Sequence, residues 1–307
     1  MLAVLLFAFG SIFVFLVGSS AIALFGGSSE KFHMISKNSI LHMKLDGVIM
    51  DGEKFLKTLK KYRKESDIKA IVIEINSPGG VVGPSQEIFA EIKRTREEFK
   101  LPVVAVSPGL MASGAYYSAV AADKIIVAPG ALVGSIGVIM EFANLEKLYD
   151  WAKVSRYTIT TGKYKDSGAE YRPMREDERQ LFQEMINEVW EQFKDAVAEG
   201  RNLKKEVVNQ YADGRVFTGA RAVKLGLADE VGTVDHAFDV AAKMANIEGH
   251  FEIFEAPKKR SGILDLLNRD EEDASSSSKL AEQIVNKVFH AELSNRPLFL
   301  MPGIWGK

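Results

Sequence analysis

The chain contains no cysteine. That excludes disulfide frameworks, thiolate zinc sites and a cysteine nucleophile together. It has no Walker phosphate loop, so no nucleotide chemistry is expected from its own residues, and neither a metal nor another cofactor is called for. Charge of one sign is not in excess: 39 Lys and Arg face 41 Asp and Glu. No basic stripe runs along the chain, which argues against a nucleic-acid partner. Histidine is scarce. His33, His42, His236, His250 and His290 all lie away from the Gly-rich blocks, so no sequence feature supports a Ser-His-Asp triad.

Charge is also missing from the first residues: no ionisable side chain occurs before Glu30. Residues 2–25 read LAVLLFAFGSIFVFLVGSSAIALF, almost continuously apolar. At about 1.5 Å rise per residue such a helix spans a hydrocarbon core of about 30 Å. A transmembrane anchor over 1–26 is expected. The rival is a cleaved signal peptide, for which Ala21-Ile22-Ala23 offers a small-x-small site. The absence of a basic flank and the length of the run favour the anchor. Lys31, Lys37 and Lys44 follow the run and nothing basic precedes it, so charge alone would hold the C-terminal side in the cytoplasm.

What remains is an ordinary globular composition, 47% hydrophobic and 26% charged in 307 residues. A short Gly/Ser linker covers 27–38. From 39 to 256, strand-like and helix-like segments alternate. Strands are expected at Ile40–Leu45, Ala70–Ile75, Val103–Val106, Lys124–Val127 and 227–230. Helices are expected at Lys54–Lys64, Pro84–Glu98, Tyr116–Ala122, Arg175–Gly200, 204–211, 218–225 and 233–245. Alternation of this kind implies an α/β domain with a mainly parallel sheet. The stripe of Leu181, Phe182, Met185, Ile186, Val189, Trp190 and Phe193 reads as core or subunit interface rather than a cofactor site. The stretch 257–278 contains Lys258-Lys259-Arg260 and DEEDASSSS, a solvated linker. Residues 279–293 have amphipathic helical spacing. The tail PLFLMPGIW within 279–307 is apolar but too short to span a bilayer, and is a candidate substrate or plug.

Three blocks could do chemistry. Asn76-Ser77-Pro78-Gly79-Gly80-Val81-Val82 follows a buried strand, where two glycines free backbone N–H groups to approach a ligand oxygen; an ordinary turn uses the same residues. Ser107–Ser118 reads SPGLMASGAYYS. Its Ser113 precedes an apparent helix, near the positive end of the helix dipole, which suits a nucleophile but equally an N-cap. A Ser-His-Asp triad could still assemble in three dimensions; a neutral lysine is the other known partner of such a serine. The segment 154–173, after a strand-like run, holds Lys163 and Lys165 between glycines, and each could equally be a solvated loop lysine. Between these blocks lies Gly134-Ser135-Ile136-Gly137-Val138, where Ser135 is either a turn serine or a hydroxyl that holds the base.

As a set, NSPGG at 76–80, MASGAYY at 111–117, GSIGV at 134–138, GKYKD at 162–166 and ADGRVFTG at 212–219 resemble signal peptide peptidase A in its short form. The resemblance covers roughly residues 40–255. It implies a Clp protease/crotonase-like fold of repeated β-β-α units. It also implies Ser113 as nucleophile and Lys165 as general base, with Lys163 as the alternative. Ser135 would orient the lysine, and Gly80 and Gly114 would form the oxyanion hole. It further implies a single-pass protein of the bacterial inner membrane, with its catalytic domain extracytoplasmic. It implies as well a ring or dome of like subunits, in which neighbours complete each other's dyad, and signal-peptide remnants as substrates. Related readings are a SohB-like protease and a stomatin-associated membrane protease of the nodulation-efficiency D type. More distant ones are a crotonase-type acyl-CoA enzyme and a non-catalytic membrane scaffold.

Overall fold

The computed structural model of the chain describes residues 35–257 and 296–301. The expected anchor at 1–26, residues 27–34 of the first linker, residues 258–278 of the second, and the expected helix 279–293 lie outside the described residues. Among the described residues no helix is long and apolar enough to cross a membrane.

The central sheet has six strands: β1 (Ser39–Asp46), β2 (Ile68–Asn76), β4 (Val103–Ser107), β6 (Lys124–Val127), β9 (Glu230–Val231) and β10 (Glu252–Glu255). They lie in the order β10-β1-β2-β4-β6-β9, and every neighbouring pair is parallel. The sequences IKAIVIEIN and VVAVS of β2 and β4 explain this. Unbroken β-branched runs belong in strands covered on both faces. Ile40, Ala70, Val72, Val104, Val106 and Ile126 pack on one face against Phe238, Ala241 and Ala242 of α8 (Val234–Met244). Their strand neighbours Leu41, Ile71, Ile73, Val103, Ala105 and Ile125 point the other way, and none is exposed. Each such aliphatic side chain contributes roughly 1.5–3 kcal/mol by leaving water. On β1 and β4 lie α1 (Glu53–Tyr62) and α2 (Val82–Glu97).

Short strands extend the C-terminal ends of the long ones. β3 (Gly79–Val81) follows β2, β5 (Leu110–Ala112) follows β4, and β7 (Leu132–Gly134) follows β6. Helix α2 follows β3, and α3 (Gly114–Ala119) follows β5. The chain thus repeats a unit of long strand, short strand and helix, as the expected fold requires. β5 and β7 pair in parallel, and β8 (Val216–Thr218) pairs antiparallel to β7. A last strand, β11 (Leu298–Leu300), runs antiparallel to β3. Between these units stand α4 (Glu146–Trp151), the long α5 (Glu176–Arg201), α6 (Lys205–Asn209) and α7 (Gly219–Lys224).

Several boundaries differ from the sequence expectation. The helix expected from Tyr116 begins at Gly114, immediately after Ser113. The segment 154–173 follows a helix, α4, rather than a strand. The strand expected at 227–230 is the two-residue β9 at Glu230–Val231, because Asp229 turns its carboxylate onto the Ile125 N–H at 2.7 Å.

Candidate active site

Ser113 stands where β5 turns into α3, with φ 53° and ψ −118°. Such angles cost a non-glycine residue on the order of 1–3 kcal/mol and persist only when surrounding bonds impose them. Those bonds are present. The Ser113 N–H donates to the Gly134 carbonyl at 2.7 Å, and its own carbonyl accepts from the Tyr117 N–H at 2.8 Å. The residue is 1% exposed, and its Oγ has no hydrogen-bond partner among the described residues. An N-cap serine would bond its Oγ to an N–H of the first turn. Ser113 makes no such bond, so the capping role does not apply.

The Gly79-Gly80 turn is strapped beside it. Ser77 donates its N–H to Leu110 O at 2.8 Å and accepts the Ala112 N–H at 3.1 Å, joining the end of β2 to β5. Gly79 has φ 93°, and a Cβ there would overlap the Phe299 carbonyl oxygen and come within 2.5 Å of Gly114 N. A Cβ on Gly114 would lie 3.0 Å from the same oxygen and 3.2 Å from Gly80 N. Gly80 shares a bridge with Ile49 that uses the Gly79 carbonyl and the Val81 N–H, at 2.8 Å each. The peptide groups of Gly80 itself therefore face the opposite side, towards Phe299. Gly114 opens a helix, so its N–H has no intrahelical acceptor. Gly79, Gly80 and Gly114 thus form a close backbone cradle in which a peptide carbonyl sits. Gly79 was not among the expected site residues; the adjacent pair of glycines was its only sequence signal.

Ser135 is brought to the same place. The register pairs Ala112 with Gly134, so Ser113 and Ser135 follow as neighbours at the ends of two parallel strands. Ser135 also has positive φ, 54°, and is buried, with its N–H bonded to Arg215 O at 2.9 Å.

Lys165 is not brought to Ser113 by a hydrogen bond. It is exposed on the 161–170 turn segment, while Ser113 Oγ is buried and unpartnered. Its flanks, however, are held. Arg172 makes two bonds to the buried Glu178 carboxylate, at 3.0 and 2.6 Å, and donates to Asp166 Oδ2 and Asp166 O at 3.2 and 3.0 Å. Arg175 donates to Lys163 O at 2.8 Å. The Arg172 guanidinium holds the carboxyls of both Glu178 and Asp166 below their usual range. Lys163 pairs with Asp177 at 2.7 Å, which raises it above the ordinary lysine range and keeps it an ammonium. A lysine so held is poorly suited to accept a proton.

The described histidines are engaged elsewhere. His42 lies between Glu74 and Glu255 at 2.9 and 3.0 Å, His236 contacts Glu230 at 3.0 Å, and His250 contacts Glu252 at 3.1 Å. None is bonded to Ser113. Among the described residues no cluster of His, Asp and Glu could hold a metal ion.

Comparison with known proteins converges on the same chemistry. Residues 95–248 match peptidase family S49. A Synechocystis sp. protein named as a protease is 34% identical over 88% of this chain and 98% of its own length. An Enterococcus faecium protein assigned as signal peptide peptidase SppA is 31% identical over 71% of this chain and 64% of its own length. The chloroplastic serine protease SPPA of Arabidopsis thaliana is 36% identical over 66% of this chain and 30% of its own length. With a strained, buried serine beside a glycine cradle, these similarities establish that the chain belongs to peptidase family S49 and is a serine-type peptidase similar to signal peptide peptidase A.

Proposed function

We propose that this chain is a membrane-anchored endopeptidase that degrades signal-peptide remnants and other short apolar segments, with Ser113 as nucleophile and Lys165 as base. The observation behind this reading is the unpartnered, buried Ser113 Oγ beside a cradle already filled by a peptide carbonyl.

In the proposed reaction, Ser113 Oγ attacks the carbonyl carbon of an extended substrate while neutral Lys165 takes its proton. Backbone N–H groups of Gly80 and Gly114 receive the developing oxyanion, and Gly79 keeps the space clear. The Lys165 ammonium then protonates the departing amine. Water hydrolyses the ester and restores Ser113. Ser135 would hold the lysine amine in line.

A lysine acts as base only when neutral, and burial favours that form. Lys165 is exposed in a single chain. The stretch of chain that leads to it carries bare apolar side chains: Leu148, Trp151, Val154, Tyr157, Ile159 and Tyr164 are 47%, 80%, 52%, 88%, 101% and 46% exposed. So concentrated an apolar surface marks a docking face. The reading is therefore a homo-oligomeric ring or dome, in which the 154–165 arm of one subunit packs on the next and delivers Lys165 to its Ser113.

The test is complementation. Ser113→Ala and Lys165→Ala proteins are each inactive alone. Mixed under exchange conditions they recover about a quarter of wild-type activity, since random pairing joins an intact serine to an intact lysine at that frequency. If mixing restores nothing above the single variants, a dyad shared between subunits is wrong.

A further inference from the structure

A basic surface runs from beside the cleft to the far end of the central sheet and takes no part in the chemistry at Ser113. Residues 54–64 hold five lysines, Arg63 and no acidic residue, in a chain of net charge −2. Helix α1 buries Phe55, Leu56, Leu59 and Tyr62 against the domain. Lys54, Lys57, Lys61 and Lys64 are spaced by three, four and three, which puts them on one face of the helix and the turn that follows, over about 15 Å. All four are exposed. In sequence they are interleaved with the apolar residues, so no basic stripe is visible until the helix gathers them. Lys60, off the stripe, pairs with Glu87 and Glu91 at 3.6 Å each, whereas the four make no ion pair among the described residues. A helix dipole accounts for lysines in the last turn of α1 but not for Lys54 and Lys57 nearer its start.

The stripe ends at a cavity of about 410 Å³ lined by Arg63, Lys64, Lys69 and Lys100 against one carboxylate, Glu65. Arg63 is its buried member, with a side chain 4% exposed. Its Nη1 donates to Glu91 at 2.6 Å and its guanidinium lies over the Phe99 ring at 4.4 Å, but its Nε has no partner among the described residues. A donor left bare in a basic cavity suits the oxygen of an anion. The chain enters the domain at this same end. Ser39, first in β1, pairs with Ile68 and donates its N–H to Asp67 O at 2.9 Å, and Lys37 just before it is exposed. Residues 27–34, between the expected anchor and Ile35, span at most about 30 Å of chain when fully extended.

We infer that this surface seats the domain on anionic phospholipid headgroups, the cavity taking one headgroup phosphate and the Lys54–Lys64 stripe lying across its neighbours. Each lysine held at such a surface strengthens attachment roughly fivefold, and salt weakens it. The aromatic residues of α1 are buried, which leaves no face on which the bases of a nucleic acid could stack. The consequence for function is one of position. Ile49 bonds the Gly79 carbonyl and the Val81 N–H, and α1 begins at Glu53, so a bilayer that holds α1 also holds the glycine cradle at the surface from which apolar segments emerge. The inference rests on the proposed membrane anchoring and is independent of the proposed dyad.

The full chain in nanodiscs tests this, with amine acetylation read lysine by lysine from peptide masses. The discs are phosphatidylcholine alone, or with about 30% phosphatidylglycerol. Lys54, Lys57, Lys61, Lys64 and Lys100 are expected to acetylate at least about fivefold more slowly in the anionic discs, and at equal rates once salt reaches about 1 M. Lys224 of α7, which packs beside β9 at the opposite sheet edge, is expected to react alike throughout. A chain carrying Lys57→Glu, Lys61→Glu and Lys64→Glu is expected to lose the protection at Lys100 while cutting a soluble peptide in detergent as the wild type does. Equal acetylation in the two kinds of disc overturns the inference. So does protection that inorganic phosphate in detergent, or an oligonucleotide added to neutral discs, reproduces, since the surface would then serve a free anion or a nucleic acid. Chains that float with neither disc overturn the anchoring as well; chains that float with both and acetylate alike overturn the headgroup contact alone.

Discussion

Among the described non-glycine residues with positive φ, Ser113 and Ser135 are the buried ones. Two adjacent serines kept in a costly backbone state mark the site more sharply than their side chains do. Replacing Ser113 by glycine would relieve that state and delete a buried hydroxyl without a partner. Ser113→Gly is expected to lose activity by at least about 10⁴-fold while gaining about 1 kcal/mol, a Tm rise of roughly 2–4 °C. A lower melting temperature would contradict the strain argument. Gly114→Ala is expected to lose on the order of 10²–10³ in kcat, since its Cβ would lie 3.0 Å from the cradled carbonyl oxygen and overlap Ser85 Oγ, whereas Gly79→Ala, at φ 93° and 2.5 Å from Gly114 N, is expected to lose stability as well as activity. Ser113 was legible because a serine followed by glycine and alanine came after a buried strand. Its role was not, because an N-cap needs the same residue and sequence does not display φ. Gly79 was hidden for a related reason: two adjacent glycines look alike in sequence, and only the fold shows that a Cβ on Gly79 would meet the Phe299 carbonyl while one on Gly80 would meet the Ile49 backbone.

At the scale of elements, the long strands and α5 were legible because their apolar periods run far enough to be read. The three-residue strands β3, β5, β7, β8 and β11 were not, since no period can be read from so few residues. The stripe expected along α5 also divides. Phe193 enters the core, with Ala196 and Val197 beyond it, while Met185 is 39% exposed, so the core reading holds at the C-terminal end of the stripe. The first turn of α5 fixes the Lys165 loop through Glu178. Glu178→Ala is expected to cost about 1–3 kcal/mol, below the usual figure for a broken buried pair because Arg172 and Arg175 keep some access to water. The pH dependence has a definite sign. The Glu178 carboxyl is lowered on folding, so its contribution is complete above the ordinary glutamate pKa of about 4.3 and is lost as pH falls through the lowered value. Thermal melts from pH 7 down to about 3 should show the gap between wild type and Glu178→Gln closing with acid. A gap that widens would mean the carboxylate is not what holds the loop.

For the whole molecule, the parallel sheet and the order of the blocks were legible, and the match to peptidase family S49 sets aside the acyl-CoA reading. The bare apolar face was not legible, because exposure is a property of the folded surface. No motif or period in the sequence singles out Trp151, Tyr157 and Ile159, which stand largely bare in the fold. Ile159→Asp, at a side chain fully open to water, is expected to leave the unfolding free energy of the separated subunit within about 0.5 kcal/mol of wild type. The same change is expected to shift the detergent-solubilised protein to smaller species in analytical ultracentrifugation, with loss of peptidase activity. A full-sized, active Ile159→Asp protein would remove the arm from the interface.

The most direct test of the central claim is to label the detergent-solubilised full chain with a fluorophosphonate and identify the modified residue by peptide mass. The account predicts label on Ser113 in the wild type, none in Ser113→Ala, and labelling slowed at least about 10²-fold in Lys165→Ala. Label that persists in Ser113→Ala, or proceeds at the wild-type rate in Lys165→Ala, would contradict the assignment of nucleophile or base respectively.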